Sequence, residues 1–140
     1  MISFKKIRYK NFLSTGNIPI EVELDKSHTT LIVGSNGSGK STLLDALCYA
    51  LFNKPFRIIK KDQMVNTINN GDTIVEVEFD VGTKKYMIRR GIRPNLFEIY
   101  ENDKLINQDA SSIDYQKYLE QNIMKLNYRS FIQVVILGSS

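Results

Sequence analysis

The sequence predicts an α/β fold in which one apolar strand runs through a glycine-rich turn into a helix, beside an antiparallel β-meander. Three observations carry that prediction. Residues 29–33 are apolar without alternation and stop at Gly34, as a strand covered on both faces does. Leu43, Leu44, Leu47, Ala50 and Leu51 then recur at three- and four-residue spacing, the period of a helix. After Asp72, three β-forming segments arrive, separated by turn residues.

Each element follows in order. Residues 2–9 carry Ile2, Phe4 and Ile7 among Lys and Arg and predict a strand, although their alternation is imperfect. Residues 18–24 alternate Ile18, Ile20, Val22 and Leu24 with polar positions and predict a half-buried strand paired antiparallel with the first. The helix is expected over residues 40–52, with Pro55 ending it. The meander comprises Ile74, Val75, Val77 and Phe79, then Tyr86, Met87 and Ile88, then Leu96, Phe97, Ile99 and Tyr100. Ser111 or Ser112 caps a helix expected to reach about Leu126, with Ile113, Tyr118 and Ile123 among its apolar positions. Residues 131–137 are apolar and β-branched and are expected to form a last strand.

Composition bounds the function without fixing it. The chain has 140 residues, 42% of them hydrophobic and 24% charged, which suits one folded domain and excludes disorder. A net charge of +4 permits an anionic partner without demanding one. The single cysteine, Cys48, excludes an internal disulfide framework and suits a core position. No signal peptide or long apolar run appears, so the expected setting is the reducing cytoplasm, without a membrane partner.

Residues 34–41 read GSNGSGKS and satisfy G-x-x-x-x-G-K-[ST], between a buried strand and a helix. Glycines at 34, 37 and 39 let the backbone wrap closely, so that amides converge on phosphate oxygens at the positive end of the helix dipole. Asn36, Gly37, Ser38, Gly39, Lys40, Ser41 and Thr42 are therefore the candidate nucleotide ligands. Lys40 suits the β and γ phosphates, Ser41 suits Mg²⁺, and Thr42 suits the α phosphate. The segment Asn53-Lys54-Pro55-Phe56 begins like a guanine reader but lacks the Asp. Arg89, Arg90 and Arg93 cluster in the meander and are expected on a solvated or anion-facing edge. Asp45 is assigned to the helix dipole, and Glu76, Glu78 and Asp80 to a solvated strand face.

With Lys10-Asn11-Phe12 after the first strand, Asn36 in the loop and Leu43-Leu44-Asp45-Ala46 in the helix, the chain resembles the N-terminal half of an SMC-like ABC ATPase head. More narrowly it is similar to the ATPase subunit of SbcC-type recombination nucleases. Lys54-Pro55-Phe56-Arg57 and Ser130-Phe131-Ile132-Gln133-Val134-Val135 are similar to its T-even phage branch.

The resemblance implies the N-terminal lobe of a P-loop ABC-type ATPase head that binds ATP and Mg²⁺ and acts in DNA repair or recombination. It implies as partners a C-terminal lobe, a second ATPase head in a dimer, a nuclease subunit and double-stranded DNA, in host cytoplasm if phage-encoded. The coiled coil and the C-terminal lobe with its Walker B carboxylates are expected to be absent from these residues, so the lobe alone should hydrolyse ATP poorly. Asn66 and Thr67 match the segment that approaches nucleotide in such relatives, and the Q-loop glutamine should fall near Ser139, where Gln133 comes too early. Leu13 replaces an arginine that touches phosphate in many members, and Arg57 stands where a related loop presents one. The alternative is a fragment of another P-loop ATPase, either a transporter-type ATPase or a nucleotide kinase.

Overall fold

The structure is a computed structural model. It describes residues 2–12, 19–23, 38–54, 71–93, 95–106 and 112–132; for 38–42, 112–114 and 132 it describes the backbone alone. Among these residues, six strands form one antiparallel sheet: β1 (Ile2–Lys10), β2 (Ile20–Glu23), β3 (Thr73–Val81), β4 (Lys84–Ile92), β5 (Leu96–Glu101) and β6 (Lys104–Leu105). Their order is β2-β1-β3-β4-β5-β6. Helix α1 (Ser38–Phe52) packs on one face, here the inner face. Helix α2 (Ser112–Tyr118) runs into a π-helical segment (Leu119–Met124), followed by the short α3 (Tyr128–Ile132).

The imperfect alternation of β1 has a local cause. Phe4 pairs with Phe79 and Lys6 with Glu78, so Lys5 is an extra residue on β1, a β-bulge. The bulge resets the two-residue period, so Phe4 before it and Ile7 and Tyr9 after it all join the inner face. Strand β3 alternates without interruption, burying Thr73, Val75, Val77 and Phe79. Two tight turns fix the meander's register. Gly82, at φ 62°, opens the two-residue link between Val81 and Lys84, where a residue with a Cβ would be strained. Asn102 and Asp103, both at positive φ, link Glu101 to Lys104 in the manner of a type I′ turn.

Every residue of α1 from Leu43 to Phe52 is buried. A helix buried on all sides belongs inside the protein rather than on its surface. Its stripe meets the sheet through Ile7, Val75, Val77 and Ile88, while Phe52, tilted, and Phe4, edge-on, each pack against Phe131, at 5.3 and 5.7 Å between ring centroids.

Several expectations are corrected. Residues 131–137 were expected to form a strand, but Phe131 and Ile132 close α3, with Phe131 fully buried between α1 and β1; residues 133–137 lie outside the described residues. The helix expected to reach about Leu126 does end near there, with Lys125 as its cap at φ 55°, but from Leu119 it widens into a π-helix. Tyr118 is not an apolar contact but 37% exposed, and Tyr115, Leu119, Ile123 and Met124 fill the core instead. Asp45 lies beyond the first turn of α1 and is fully buried, so interaction with the dipole at the helix start does not explain it. Strand 29–33 lies outside the described residues.

Cys48 is fully buried, and burial, with the Asp45 charge beside it, pushes its thiol up to about 12. Burial raises Tyr49 as well, and Tyr86 to about 12 with help from the Glu101 carboxylate. All three hold their protons more tightly folded than unfolded. Their contribution is full below the unfolded pKa values, about 8.5 for Cys and 10 for Tyr, and is lost as pH rises toward the folded ones. Urea midpoints should therefore fall between pH 8 and pH 10, with roughly 1–2 kcal/mol lost. A midpoint that rises would contradict the assignment. At pH 8 a thiol reagent should label Cys48 only at the rate of unfolding. Phe79→Ala, at 1% exposure, should lower stability by about 3–5 kcal/mol in the same titration.

Candidate nucleotide-binding site

The site begins where the sequence changes period. Helix α1 starts at Ser38, inside the motif, so its first-turn backbone amides lack i−4 partners within the helix. That first turn contains no acidic residue to compete for them. Amides without partners inside the helix, with the helix dipole behind them, suit an anion, and the donor set fits a polyphosphate. Gly39, Lys40, Ser41 and Thr42 follow Ser38 in this turn and the next. The structure thus brings five of the predicted ligands into one helix start. Asn36, Gly37, Asn66, Thr67, Leu13, Arg57, Gln133 and Ser139 lie outside the described residues.

Behind the helix, the Asn11-Phe12 pair is locked into the framework. Asn11, at φ 51° and 1% exposed, donates from Nδ2 to the Asp72 carbonyl at 3.3 Å. Thr73 Oγ1 returns a 2.6 Å bond to the Asn11 carbonyl. Phe12 stacks on Tyr49 of α1, with ring centroids 5.9 Å apart. The Lys10-Asn11-Phe12 opening thus ties the end of β1 to both β3 and the helix.

The far end of α1 is closed by three donors. Asn53, at φ 61°, takes the left-handed position that terminates helices, and its N–H bonds the Tyr49 carbonyl at 2.8 Å. This cap is the structural role of the residue that begins the guanine-reader mimic. Arg90 Nε donates to the Ala50 carbonyl at 3.0 Å, and Gln116 Nε2 donates to the Leu51 carbonyl at 2.8 Å. The expected solvated arginine edge is thereby corrected for Arg90, whereas Arg93 is exposed. Arg90 is 5% exposed on the inner face, with its guanidinium 3.6 Å from the centroid of the Phe97 ring. Burial lowers its pKa to about 10, opposed by Tyr49 and Glu120, and it remains charged at neutral pH.

Arg89 points the other way and is also not a free cation. Register aligns Glu21, Arg8, Glu76, Arg89 and Glu98 in one row across five strands of the outer face, with charge alternating at every step. Arg8 meets Glu76 at 2.9 Å and Glu21 at 3.5 Å; Arg89 meets Glu76 at 3.2 Å and Glu98 at 3.8 Å. Arg8 also binds Glu78 at 2.6 Å. Burial opposes the Arg8 charge, but its bonds to Glu76 and Glu78 prevail and raise its pKa. Glu76, Glu78 and Asp80 do face away from α1, as expected of the outer strand face. Two clefts, of about 200 and 360 Å³, open on this face along Arg8, away from the start of α1. Among the described residues, no group of three His, Cys, Asp or Glu could hold a metal ion, and no helix is long and apolar enough to cross a membrane.

Arg90 and Gln116 are the residues that sequence reasoning missed. The inward parity of Tyr86, Ile88, Arg90 and Ile92 was a signal for the first. Asn53, just past the last apolar residue of the helix, was a signal for the cap.

A family model described as an AAA domain matches residues 6–140. The chain is 45% identical over its full length to Exonuclease subunit 2 of Escherichia phage RB69 and, equally, of Enterobacteria phage T4. It spans 25% of each of those proteins. It is 31% identical to a DNA double-strand break repair Rad50 ATPase of Thermoplasma volcanium, over 95% of this chain and 15% of that protein. The crystal structure of the Smc head domain from Pyrococcus furiosus superposes with a TM-score of 0.53 at 18% identity, over 85% of this chain and 33% of that one. That likeness bears on the fold and agrees with a mixed α/β lobe.

The cap at the end of α1 gives a direct expectation. Asn53→Val, a β-branched residue at positive φ, should cost about 1–2 kcal/mol of stability, whereas Asn53→Gly should be nearly neutral in the same denaturation experiment.

Proposed function

The chain belongs to the AAA domain family, and from that premise we propose that it is the ATP-binding lobe of a DNA repair or recombination ATPase working with a nuclease partner. The observation that carries the reading is the 45% identity, along the whole chain, to proteins named Exonuclease subunit 2. The Rad50 ATPase relative and the acid-free start of α1 support it.

In this reading, residues 1–140 form a single N-terminal lobe. Asn36, Gly37, Ser38 and Gly39 supply the backbone cradle. Lys40 holds the β and γ phosphates as a point charge, Ser41 offers its hydroxyl to Mg²⁺, and Thr42 meets the α phosphate. Asn66 and Thr67 close on the nucleotide from a second segment. Bound Mg-ATP supplies a phosphoanhydride whose hydrolysis can drive a conformational cycle. A C-terminal lobe completes the site, and a second head closes over it, so that ATP favours an engaged dimer that governs access of double-stranded DNA to the nuclease. The setting is cytoplasm, that of the host if the protein is phage-encoded.

Lys40→Ala in the intact protein should weaken Mg-ATP binding roughly 10- to 150-fold in a fluorescent-nucleotide titration, the worth of one charge-assisted contact. Retained tight binding would overturn the loop assignment. For DNA, the ion pairs of Arg89 mean that Arg89→Gln should leave the salt dependence of binding unchanged. A slope smaller by about 0.9 would show that Arg89 leaves its carboxylates for a phosphate.

A further inference from the structure

Helix α1 is held at the end remote from the nucleotide motif by an unusual polar node. Arg90 is a charged group buried in the core, in a setting where an ion needs both pairing and hydrogen bonds. Its Nε meets the Ala50 carbonyl, its Nη2 meets Gln116 Oε1, and its face lies on Phe97. Gln116 in turn donates from Nε2 to the Leu51 carbonyl and to Glu120 Oε2, both at 2.8 Å. The carboxamide therefore has no freedom to flip, since exchange of its ends would set NH₂ against a guanidinium. The terminal carbonyls of Tyr49, Ala50 and Leu51 are thus met by donors from the cap, from β4 and from α2.

Sliding or turning α1 would break two of these bonds at once in a low-dielectric setting, where unmade polar bonds are expensive. The distance from Ala50 back to Ser38 is about 18 Å of helix at 1.5 Å per residue. A shift at one end of so short a rod appears undiminished at the other. A lysine cannot reproduce the arrangement, because its ammonium has no planar fork to reach a carbonyl and a carboxamide while lying flat on a ring.

We propose that Arg90, acting through Gln116, is a positioning residue of the nucleotide site, fixing the place of α1 so that its N-terminal turn is set for phosphate before phosphate arrives. The inference rests on the reading of that turn as the nucleotide site. It also makes this node a polar link between the site and the segment 112–132, because Gln116 and Glu120 carry α2 and the π-helical turn onto the end of α1. A π-helical turn beside such a node is a common mark of a functional position.

The test compares wild type, Lys40→Ala, Arg90→Lys and Gln116→Met in the intact protein, reading Mg-ATP affinity with a fluorescent analogue at 10 °C and folding by circular dichroism. Arg90→Lys should remain folded and bind roughly 5- to 20-fold more weakly, as the phosphate-ready geometry becomes a minor population. Gln116→Met, at a half-buried position, should weaken binding in the same direction, and the double variant should fall short of the product of the two. It also carries the test should Arg90→Lys fail to fold. A lowered melting temperature with affinity within about twofold of wild type, for a folded variant, would show a purely structural role and overturn the inference. Wild type that does not bind Mg-ATP, or Lys40→Ala that binds like wild type, would instead sink the nucleotide reading itself.

Discussion

A buried positive charge at the end of a buried helix is the constraint on which the rest of this structure depends. Helix α1 is enclosed from Leu43 to Phe52, so its last carbonyls cannot turn to water. They need donors from the protein, and Arg90 and Gln116 provide two of them. Their positions follow from the sheet and from α2. Arg90 reaches Ala50 only if β4 keeps its inward parity, and that parity depends on the register set by the Gly82 turn. Gln116 reaches Leu51 only if α2 lies against the sheet, where Tyr115 donates from its hydroxyl to the Ile106 carbonyl and accepts from the Ile99 amide. The helix end thus joins the register of the meander to the placement of α2.

The two faces of the sheet solve different problems. The inner face excludes water and can tolerate a charge only with a full set of partners. The outer face keeps its charges in a row of alternating sign, where pairing costs little desolvation and contributes little net stability. What the row supplies is register. A one-residue slip of β3 would send Glu76 toward the core and break both of its steps, to Arg8 and to Arg89. The same arithmetic explains why neighbouring arginines in the sequence have unrelated roles, since adjacent strand residues face opposite sides.

Much of this was legible in the sequence. The meander was, because Val75, Val77 and Phe79 alternate cleanly and glycine marks the turn. The helix was, through its leucine spacing, and so was the phosphate motif at its start. The bulge at Lys5 was visible only as a defect in alternation, because a bulge changes parity without leaving a residue signature of its own. Phe131 and Ile132 misled for a physical reason: a β-branched, apolar stretch fits strand or buried helix equally, and packing of Phe131 between Phe4 and Phe52 decides it. Arg90 misled because composition reads an arginine cluster as surface, whereas only strand parity tells which member turns inward.

The two ends of α1 are electrostatically unequal, and the inequality has a direction. At the C-terminus the partial negative charge of the dipole is met by a guanidinium held in a low-dielectric core. At the N-terminus no carboxylate in the first turn meets the partial positive charge. Were both ends compensated, an arriving anion would have to displace an internal partner, and much of its binding energy would be lost to that exchange. With the far end compensated, the helix is held in its position, and its first turn carries no carboxylate that an arriving anion would have to displace. The arrangement anchors the helix at the end that must not move and places no carboxylate in the turn where phosphate is expected.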